Sequence, residues 1–345
     1  MKAATIAPRR PGSLRLDDIP VPRRAPEELL VSALAVGVCG TDRELIEGHY
    51  GSAPAGEARL VLGHESLGRV LEAPAQGAFK AGDLVVGIVR HPDPVPCPNC
   101  AAGEWDMCSN GLYTERGIQG AHGFCSEFFV VEASMAVKVE AGLGLAAVLL
   151  EPASILAKAW EHIEHIGRRA RWEPRRVLVT GAGPVGLLAA LMGVQRGLEV
   201  HVQDHNESGP KPSLVADLGA KYLSKPPGEG YDVVLECTGV PQVIGEALAR
   251  QNPNGIVCLT GLSPATSAVG LEVAPWNQAM VLKNQVVFGT VNANRRHYEA
   301  AARALARAEP AWLQRLITRK LPLGRLEQAY ERRKGDVKTV IVLED

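Results

Sequence analysis

Three short groups of residues in the first half of the chain carry side chains that can bind a metal ion. They are Cys39 in Cys-Gly-Thr-Asp, His64 and Glu65 in Gly-His-Glu, and Glu151 in Glu-Pro. A thiolate, an imidazole and carboxylates are ligand types that Zn²⁺ accepts. Farther along, a glycine-rich turn between an apolar strand and a helix predicts a dinucleotide-binding loop. A Lewis-acidic metal together with a dinucleotide indicates metal-assisted hydride transfer.

Length, charge and cysteine usage narrow the class of protein. The chain has 345 residues, 46% of them hydrophobic, and a formal net charge of -1. We expect two domains from this length, and the balanced charge gives no reason to expect nucleic acid or a membrane as a partner. The N-terminal residues do not resemble a signal peptide, and the longest apolar run is too short to span a bilayer. Seven cysteines, an odd number, favour a reducing cytoplasm over a disulfide framework.

The first 150 residues contain short β-like runs broken by Gly and Pro, which predicts a β-rich domain. This domain must position the candidate metal ligands. From residue 151 onward, apolar strands alternate with helical segments, which predicts a doubly wound parallel sheet. The runs predicted as strands are 29–35, 60–62, 66–71, 84–89 and 128–131, then 176–180, 198–203, 233–237, 256–260 and 285–291, with a closing strand at 339–343. Helices are predicted over 185–196 and 298–308, and we assign the tail from about residue 293 to the first domain.

The turn Gly181-Ala182-Gly183-Pro184-Val185-Gly186 has the context that a GxGxxG motif needs, with a strand before it and a helix after it. Gly181 permits the tight turn, Gly183 lets the backbone approach a pyrophosphate, and Gly186 allows close helix packing. The amides at the helix N-terminus would then bind the phosphates.

Asp204 ends the next strand, 23 residues after Gly181. A carboxylate at this position accepts hydrogen bonds from the ribose hydroxyls and repels a 2′-phosphate, which favours NAD over NADP. His205 and Lys211 lie close by in sequence and could offset that charge, so NADP stays open. The alternative is that Asp204 is simply a turn residue at the end of a strand.

These motifs, in this order, resemble a medium-chain zinc-dependent alcohol dehydrogenase. Finer matches at residues 113–118, 120–124, 151–154, 289–292 and 297–299 resemble the glucose dehydrogenase branch. The similarity covers essentially the whole chain. It implies a GroES-like β-barrel catalytic domain (residues 1–156 and 293–345) and a Rossmann domain (157–292) with a doubly wound parallel sheet.

The resemblance also implies roles for single residues. Cys39, His64 and Glu65 become zinc ligands, and Glu151 either binds the metal or holds its water. Asp42 would fix the tautomer of His64. The residues facing the sugar would be Thr41, Glu115, Glu151, Ser154 and Asn292, with Thr41, Glu65 and Glu151 moving the proton. Cofactor contacts are expected from Gly181, Gly183, Pro184, Val185, Gly186, Asp204, His205, Asn206, Thr238, Gly261 and Asn292.

Cys97, Cys100 and Cys108 resemble the structural zinc lobe of the family, in which four cysteines are usual. The first of the four would fall at Pro94, which cannot be a ligand. Asp93 or His91 could supply the fourth ligand, since structural zinc is normally four-coordinate. The alternative is a lobe that has lost its metal and keeps free thiols.

The sequence therefore predicts a zinc-dependent enzyme that oxidises an aldose, by default D-glucose, at C1 with NAD or NADP. A polyol or secondary-alcohol dehydrogenase is the second hypothesis, and a zinc-free quinone reductase or a non-catalytic nucleotide sensor is the third. Retention of Cys39, His64 and Glu65 opposes the third hypothesis. The apolar run from residue 285 to 291 could pair across subunits, so we expect a homodimer or homotetramer.

Overall fold

A computed structural model describes residues 1–343 except 226, 227, 229, 264–269, 271 and 272. The chain divides into two compact units. The first, called here the β-rich unit, comprises Met1–Ser154 and Asn292–Asp345, and the second, the parallel-sheet unit, comprises Ile155–Val291. The sequence predicted domain boundaries after residues 156 and 292. The contacts between residues in the structure place these boundaries after residues 154 and 291.

Nineteen strands lie within the described part of the chain. They are β1 (Lys2–Ile6), β2 (Arg15–Asp18), β3 (Glu28–Val38), β4 (Leu60–Val61), β5 (Glu65–Glu72), β6 (Leu84–Gly87), β7 (Arg90–His91), β8 (Thr114–Arg116), β9 (Gly120–Ala121), β10 (Phe128–Glu132), β11 (Ala136–Lys138), β12 (Arg176–Thr180), β13 (Glu199–Gln203), β14 (Lys221–Leu223), β15 (Tyr231–Glu236), β16 (Gln251–Leu259), β17 (Val286–Gly289), β18 (Ile317–Pro322) and β19 (Lys338–Val342).

The α-helices of the same residues are α1 (Gly40–Ile46), α2 (Pro98–Ala101), α3 (Leu150–Gly167), α4 (Pro184–Val194), α5 (Pro210–Asp217), α6 (Pro241–Ala249), α7 (Val273–Lys283), α8 (Arg295–Ala306), α9 (Pro310–Leu316) and α10 (Leu326–Tyr330). Short 3₁₀ segments cover Trp105–Met107, Ala133–Met135, Ala141–Leu149 and Leu323–Arg325.

A seven-stranded sheet forms the centre of the β-rich unit. Its order is β11-β6-β5-β3-β19-β18, and β10 also pairs with β3. Strand β3 alternates between buried and half-buried residues along most of its length, as expected for a strand with one face on the core. The last strand of the chain, β19, lies directly against β3, so the C-terminal tail completes the unit that the N-terminal residues begin.

The parallel-sheet unit contains six strands in the order β14-β13-β12-β15-β16-β17, and every neighbouring pair is parallel. The central strands β12 and β15 are almost continuously buried, because helices cover both faces of such a sheet. This is the doubly wound sheet that the alternation of apolar strands and helices predicts.

The 3₁₀ segment and helix from Ala141 to Gly167 are long and apolar enough to cross a membrane by length and composition alone. However, 72% of the most apolar 18-residue stretch of this segment is buried inside the protein. The segment also carries the buried side chains of Glu151 and Lys158.

Candidate active site

Antiparallel pairing of β3 with β5 brings the candidate metal ligands together. Gly37 of β3 lies opposite Glu65 of β5, so Cys39, just beyond the end of β3, comes beside His64. One ligand atom from each of Cys39, His64 and Glu65 lies within 4.8 Å of the others. His64 and Glu65 are almost fully buried. The sequence motifs, 25 residues apart, thus form one cluster.

The backbone around this cluster is tightly packed. A Cβ atom on Gly37 would lie only 2.0 Å from Oε2 of Glu65, so any larger residue at position 37 would displace the carboxylate. Gly63 has a φ of 89°, and a Cβ atom there would lie 2.8 Å from the Val36 side chain. Glycine is therefore required by space at position 37, and by both space and conformation at position 63.

Asp42 orients two of the three candidate ligands. Its Oδ2 accepts a hydrogen bond from the backbone N–H of Cys39 at 2.8 Å, and its Oδ1 lies 3.3 Å from Nδ1 of His64. Burial opposes charging of His64, but the Asp42 carboxylate, helped by Cys39, raises the pKa of His64 well above its ordinary value. A carboxylate on Nδ1 leaves Nε2 as the nitrogen that can face a metal.

Lys338 is the functional residue of this cluster that the sequence reasoning missed. It is fully buried at the start of β19, and its Nζ lies 2.7 and 2.6 Å from the two carboxylate oxygens of Glu65. Nζ also donates to the carbonyl oxygen of Val38 at 3.2 Å. The one available signal was a lysine inside an otherwise apolar strand sequence, Val-Lys-Thr-Val-Ile-Val.

Glu151 lies in the first turn of α3 and is buried. Burial, with smaller contributions from the charges of Glu65 and Asp42, raises the pKa of Glu151 to about 7. His64 and Lys338 act in the opposite direction. Glu151 therefore shares the electrostatic environment of the cluster, although its oxygens are not among the ligand atoms that lie within 4.8 Å of one another.

A second buried network surrounds Glu115 on β8. Oε1 of Glu115 accepts hydrogen bonds from Nε and Nη2 of Arg90, both at 3.0 Å, and from Nδ2 of Asn292 at 2.5 Å. The guanidinium of Arg90 also stacks 3.8 Å from the ring centre of Tyr113. Asn292 has a φ of 58°, a conformation that asparagine tolerates better than most residues. Sequence analysis predicted Glu115 and Asn292 but missed Arg90.

Thr41 and Ser154 have different surroundings. Thr41 is half-buried on α1, beside the phenol of Tyr50. Ser154 is fully buried, and its hydroxyl donates to the carbonyl oxygen of Glu151 at 2.6 Å. That hydroxyl can still accept a hydrogen bond, so the sugar contact of Ser154 stays a prediction.

In the parallel-sheet unit, the turn after β12 has the features of a phosphate-binding loop. Gly181 has a φ of 92°, and Gly183 precedes the first residue of α4. A Cβ atom on Gly186 would lie 1.8 Å from the carbonyl oxygen of Gly181, so no side chain fits there. The backbone N–H groups at the N-terminus of α4 can therefore bind an anion such as a phosphate.

Asp204 has different partners from those that the sequence suggested. Its Oδ2 accepts from Nζ of Lys211 and the backbone N–H of Ala182, both at 2.8 Å. Its Oδ1 accepts from the backbone N–H and the side-chain amide of Asn206, at 2.9 and 2.6 Å. All four lone-pair positions accept hydrogen bonds from this loop, so Asp204 holds the loop together, and its contact with a ribose stays a prediction. The neighbouring His205 side chain is 91% exposed.

Glu236, at the end of β15, is a third functional residue that sequence analysis missed. It is fully buried and accepts hydrogen bonds from the hydroxyls of Thr180 and Thr238 and the backbone N–H groups of Thr238 and Gly239. Gly261 packs against Gly239 so closely that a Cβ atom would lie 2.1 Å from the Gly239 nitrogen. The predicted cofactor residues Thr238 and Gly261 therefore belong to one set of strand-end loops with the Gly181 turn.

The cysteine lobe contains a second cluster of candidate ligands. The sulfur atoms of Cys97, Cys100 and Cys108 lie within 4.8 Å of one another, with Cys97 and Cys108 4.0 Å apart. Backbone N–H groups of Cys100 and Ser109 lower the pKa of Cys97 to about 6. Burial raises the pKa of Cys100 to about 11. No fourth ligand atom from the described residues lies within that mutual distance.

Asp93 and His91, the two candidates for a fourth ligand, differ. Asp93 is buried, and its Oδ2 has no hydrogen-bond partner among the described residues, although Oδ1 accepts from the Val95 amide. Burial lowers the pKa of His91 to about 4. Nε2 of His91 also has no hydrogen-bond partner among the described residues, so each candidate offers a buried unpartnered atom in the lobe of the three thiols.

Comparison with known proteins agrees with this architecture. The family model for the alcohol dehydrogenase GroES-like domain matches residues 25–141, and the model for the glucose dehydrogenase C-terminus matches residues 144–343. The chain is 42% identical to a glucose 1-dehydrogenase of Methanocella arvoryzae and 40% identical to glucose 1-dehydrogenase 2 of Vulcanisaeta moutnovskia, with 99% of each chain covered.

Among solved structures, the glucose dehydrogenase of Haloferax mediterranei in complex with NADP, Zn and gluconolactone superposes with a TM-score of 0.92. It is 32% identical in sequence, and the alignment covers both chains completely. These matches confirm the fold class and the family resemblance predicted from the motifs. The chain is accordingly a member of the glucose dehydrogenase branch of the zinc-dependent medium-chain alcohol dehydrogenases.

Proposed function

We propose that this protein oxidises D-glucose at C1 to the lactone and transfers the hydride to NAD or NADP. The buried cluster of Cys39, His64 and Glu65 carries this proposal, because a zinc-free relative has no use for it. The full-length similarity to glucose 1-dehydrogenases and to an enzyme complexed with gluconolactone supports the same substrate.

The donor set of the cluster fits Zn²⁺, which binds thiolate, imidazole and carboxylate ligands together. Cys39, His64 and Glu65 would hold the metal, with Glu151 as a further carboxylate for it or its water. When bound, Zn²⁺ lowers the pKa of a coordinated hydroxyl group. Asp42 holds His64 and the Cys39 backbone in place, so the ligands are oriented before a substrate arrives.

The chain's own residues handle the proton that leaves the sugar hydroxyl. Thr41, two residues after Cys39, is placed to take the proton from the C1 hydroxyl and pass it on. Glu151, a buried carboxylate close to the cluster, is the next acceptor in this proposal. The hydride leaves C1 for the nicotinamide, and the sugar becomes a lactone.

Glu115 and Asn292 are proposed to bind the sugar hydroxyls. Arg90 and Asn292 both donate to Oε1 of Glu115, so Oε2 is the oxygen left for a substrate hydroxyl. A fixed polar side chain discriminates well between sugars, because a substrate without the matching hydroxyl leaves it unpaired. The hydroxyl of Ser154 donates to the carbonyl oxygen of Glu151, so Ser154 could join this set only as an acceptor.

We propose that both NAD and NADP are accepted. The phosphates would bind at the turn of Gly181, Gly183 and Gly186 and the start of α4, formed by Pro184 and Val185. The carboxylate of Asp204 is neutralised by Lys211 and turned inward, so it does not repel a 2′-phosphate. His205 and Asn206 lie beside Asp204 and are the side chains proposed to face that end of the cofactor.

The cysteine lobe is proposed to hold a structural zinc with Asp93 as the fourth ligand. The clustered thiols and the unpartnered oxygen of Asp93 support this assignment.

We propose a reducing cytoplasm as the location of the protein, because all seven cysteines are free thiols.

We further propose a homodimer or homotetramer, with β17 at the subunit contact, since β17 is an edge strand.

The first test is the initial rate of nicotinamide reduction with D-glucose, with NAD and NADP measured side by side on zinc-loaded protein. We expect turnover with both cofactors.

Cys39→Ser should lose the activity together with one zinc per chain, whereas Cys97→Ser should lose a different zinc and lower the melting temperature with little effect on kcat. Turnover only with a polyol or a simple secondary alcohol, or full activity of Cys39→Ser, would contradict the proposal.

A further inference from the structure

The β-rich unit contains a cavity of about 340 Å³ to which neither the metal cluster nor the Glu115 network contributes a side chain. Its walls are mainly apolar, and they come from the segment after β2, from Val61 and from β10. The side chains that form these walls are Ile19, Pro20, Pro22, Val61, Phe128 and Val130. The volume lies at the lower end of the range for small-molecule sites.

Most charged groups that line this cavity are paired within the protein. Arg59 forms an ion pair with Asp17 at 3.0 Å and donates to the carbonyl oxygens of Thr5 and Ser13. Glu57 contacts Nε2 of His122 at 2.9 Å. Arg59 and Asp17 carry opposite charges and satisfy each other. The Val61 amide donates to Nδ1 of His122, so the Nε2–H of His122 donates to the Glu57 carboxylate.

Two cations are exceptions: the terminal ammonium of Met1, which donates to the carbonyl oxygen of Ile19 at 2.8 Å, and the guanidinium of Arg116. Within the part of the chain that the structure describes, no carboxylate forms an ion pair with Arg116. It makes one hydrogen bond, from Nη1 to the carbonyl oxygen of His122 at 3.3 Å, and its guanidinium lies 5.7 Å from the ring centre of Phe124. Burial lowers the pKa of Arg116, which reflects the cost of keeping this charge away from water. A guanidinium can donate five hydrogen bonds, so most of its capacity is unused.

The cavity lies directly behind two parts of the active site. Glu115 and Arg116 are neighbours on β8, and successive side chains of a strand point to opposite faces. Glu115 faces Arg90 and Asn292, whereas Arg116 lines the cavity. One strand therefore carries a substrate-binding side chain on one face and an unpaired cation on the other.

A second connection leads from the cavity wall to the metal ligands. The amide of Gly123 donates to the carbonyl of Val61 at 2.8 Å, and the amide of Phe124 donates to the carbonyl of Gly63 at 2.9 Å. A Cβ atom on Gly123 would lie 2.3 Å from the Gly63 carbonyl oxygen. Gly63 immediately precedes His64, so movement of the wall at residue 123 is transmitted to a metal ligand through close backbone contacts.

We propose that this cavity is an effector site for a small organic carboxylate with an apolar body, held by Arg116. The carboxylate matches the planar guanidinium in charge and geometry, and the apolar body fills the space between Ile19, Val61 and Phe128. Binding would fix Arg116 and with it the strand that carries Glu115. The effect on glucose turnover rests on the proposed function, but binding does not.

The test uses zinc-loaded full-length protein and three probes, octanoate, 1-octanol and acetate, in isothermal titration calorimetry. We expect saturable binding of octanoate. Binding of 1-octanol, which lacks the charge, and of acetate, which lacks the apolar body, should each be at least tenfold weaker. Arg116→Met should weaken octanoate binding about tenfold or more, since it removes a charge-assisted hydrogen bond. Arg69→Met, at an exposed position of β5, is the control and should bind octanoate like the wild type.

Val130→Phe provides a second variant that keeps Arg116 and fills the cavity, and it should also abolish octanoate binding. In the wild type, saturating octanoate should change the KM for glucose at least twofold, and the change should vanish in Arg116→Met. Equal binding of octanoate and 1-octanol, unaltered binding in Arg116→Met, or binding without any kinetic effect would each overturn the proposal. Absence of glucose turnover together with selective octanoate binding would refute the proposed substrate and leave the binding site intact.

Discussion

Among single residues, Asp204 is stabilised as an anion by donors within its own loop. Burial opposes its charge, but the hydrogen bonds from Lys211, Asn206 and Ala182 lower the pKa of Asp204 to about 2. The unfolded chain has the ordinary value of about 3.8, so the native state favours the ionised form. This group therefore stabilises the fold above pH 3.8, and that stabilisation is lost as the pH falls through about 2.

Asp204→Asn should lower the free energy of unfolding by about 2 kcal/mol at pH 7, as the size of the pKa shift implies. The difference from wild type should shrink progressively as the pH falls below 3.8, since wild-type Asp204 then becomes protonated as well. Urea unfolding at a series of pH values measures this. The exposed Asp18→Asn is the control, and a pH-independent gap for Asp204→Asn would contradict the interpretation.

Residue types and local order were enough to find Cys39, His64 and Glu65, which the fold brings together, and the glycine turn. The role of Glu115 came from the family resemblance and stays a prediction. Residue types and local order were not enough to find Lys338 or Arg90, because each acts on a partner far away in sequence. Lys338 reaches Glu65 across 273 positions, and Arg90 reaches Glu115 only because β7 pairs with β8. The orientation of Asp204 was also hidden, since sequence shows a carboxylate but not which donors it meets.

On the scale of secondary-structure elements, Glu236 joins the ends of three parallel strands. Its carboxylate accepts from Thr180 at the end of β12 and from the loop after β15. Its backbone carbonyl accepts from the amides of Thr260 and Gly261, which follow β16. The loops that are proposed to contact the dinucleotide are therefore held to one another by a single residue.

Glu236→Ala should weaken binding of NAD and NADP about tenfold, because it removes the carboxylate that accepts from Thr180, Thr238 and Gly239 and leaves their donors unpaired. The KM for glucose should change little. Thr180→Val is the matched control, since it removes only one of the hydrogen bonds and should have a smaller effect. Cofactor titration by protein fluorescence measures both. A variant with unchanged dinucleotide affinity would show that these loops do not depend on Glu236.

Buried apolar strands were predictable, whereas breaks between neighbouring strands and polar starts of helices were not. The run 176–180 matches β12 residue for residue, because a buried parallel strand is apolar throughout. The run 84–89 was predicted as one strand, but β6 ends at Gly87, which packs on the ring of Phe124, and β7 begins at Arg90. The helix predicted from residue 298 begins at Arg295, after the Asn294 cap, so its first turn is polar and escaped the apolar pattern.

On the scale of the whole molecule, the parallel-sheet unit leaves one apolar side without a described partner. Strand β17 forms the edge of the six-stranded sheet, with its backbone groups unpaired on one side. Helix α7 precedes it and exposes Val281 and Leu282 by 67% and 73%. An exposed strand edge next to exposed apolar side chains favours pairing with a second copy of the chain.

Val281→Lys combined with Leu282→Glu should shift the protein toward a smaller species, because charges would be buried in the proposed subunit contact. Light scattering coupled to size-exclusion chromatography gives the mass directly. Leu71→Lys, at an exposed position of the β-rich unit, is the control for added charge. If the double variant keeps the mass of the wild type, the contact lies elsewhere.

The insertion of one unit within the other also has a consequence for synthesis. A ribosome completes residues 155–291, the whole parallel-sheet unit, before it makes β19, the strand that lies against β3 and brings Lys338 to Glu65. Folding during translation proceeds from the N-terminus, so the nascent chain presents an open β3 edge and a buried carboxylate without its ammonium partner. We therefore expect the nucleotide half to mature first and the metal half to close only once β19 has left the ribosome.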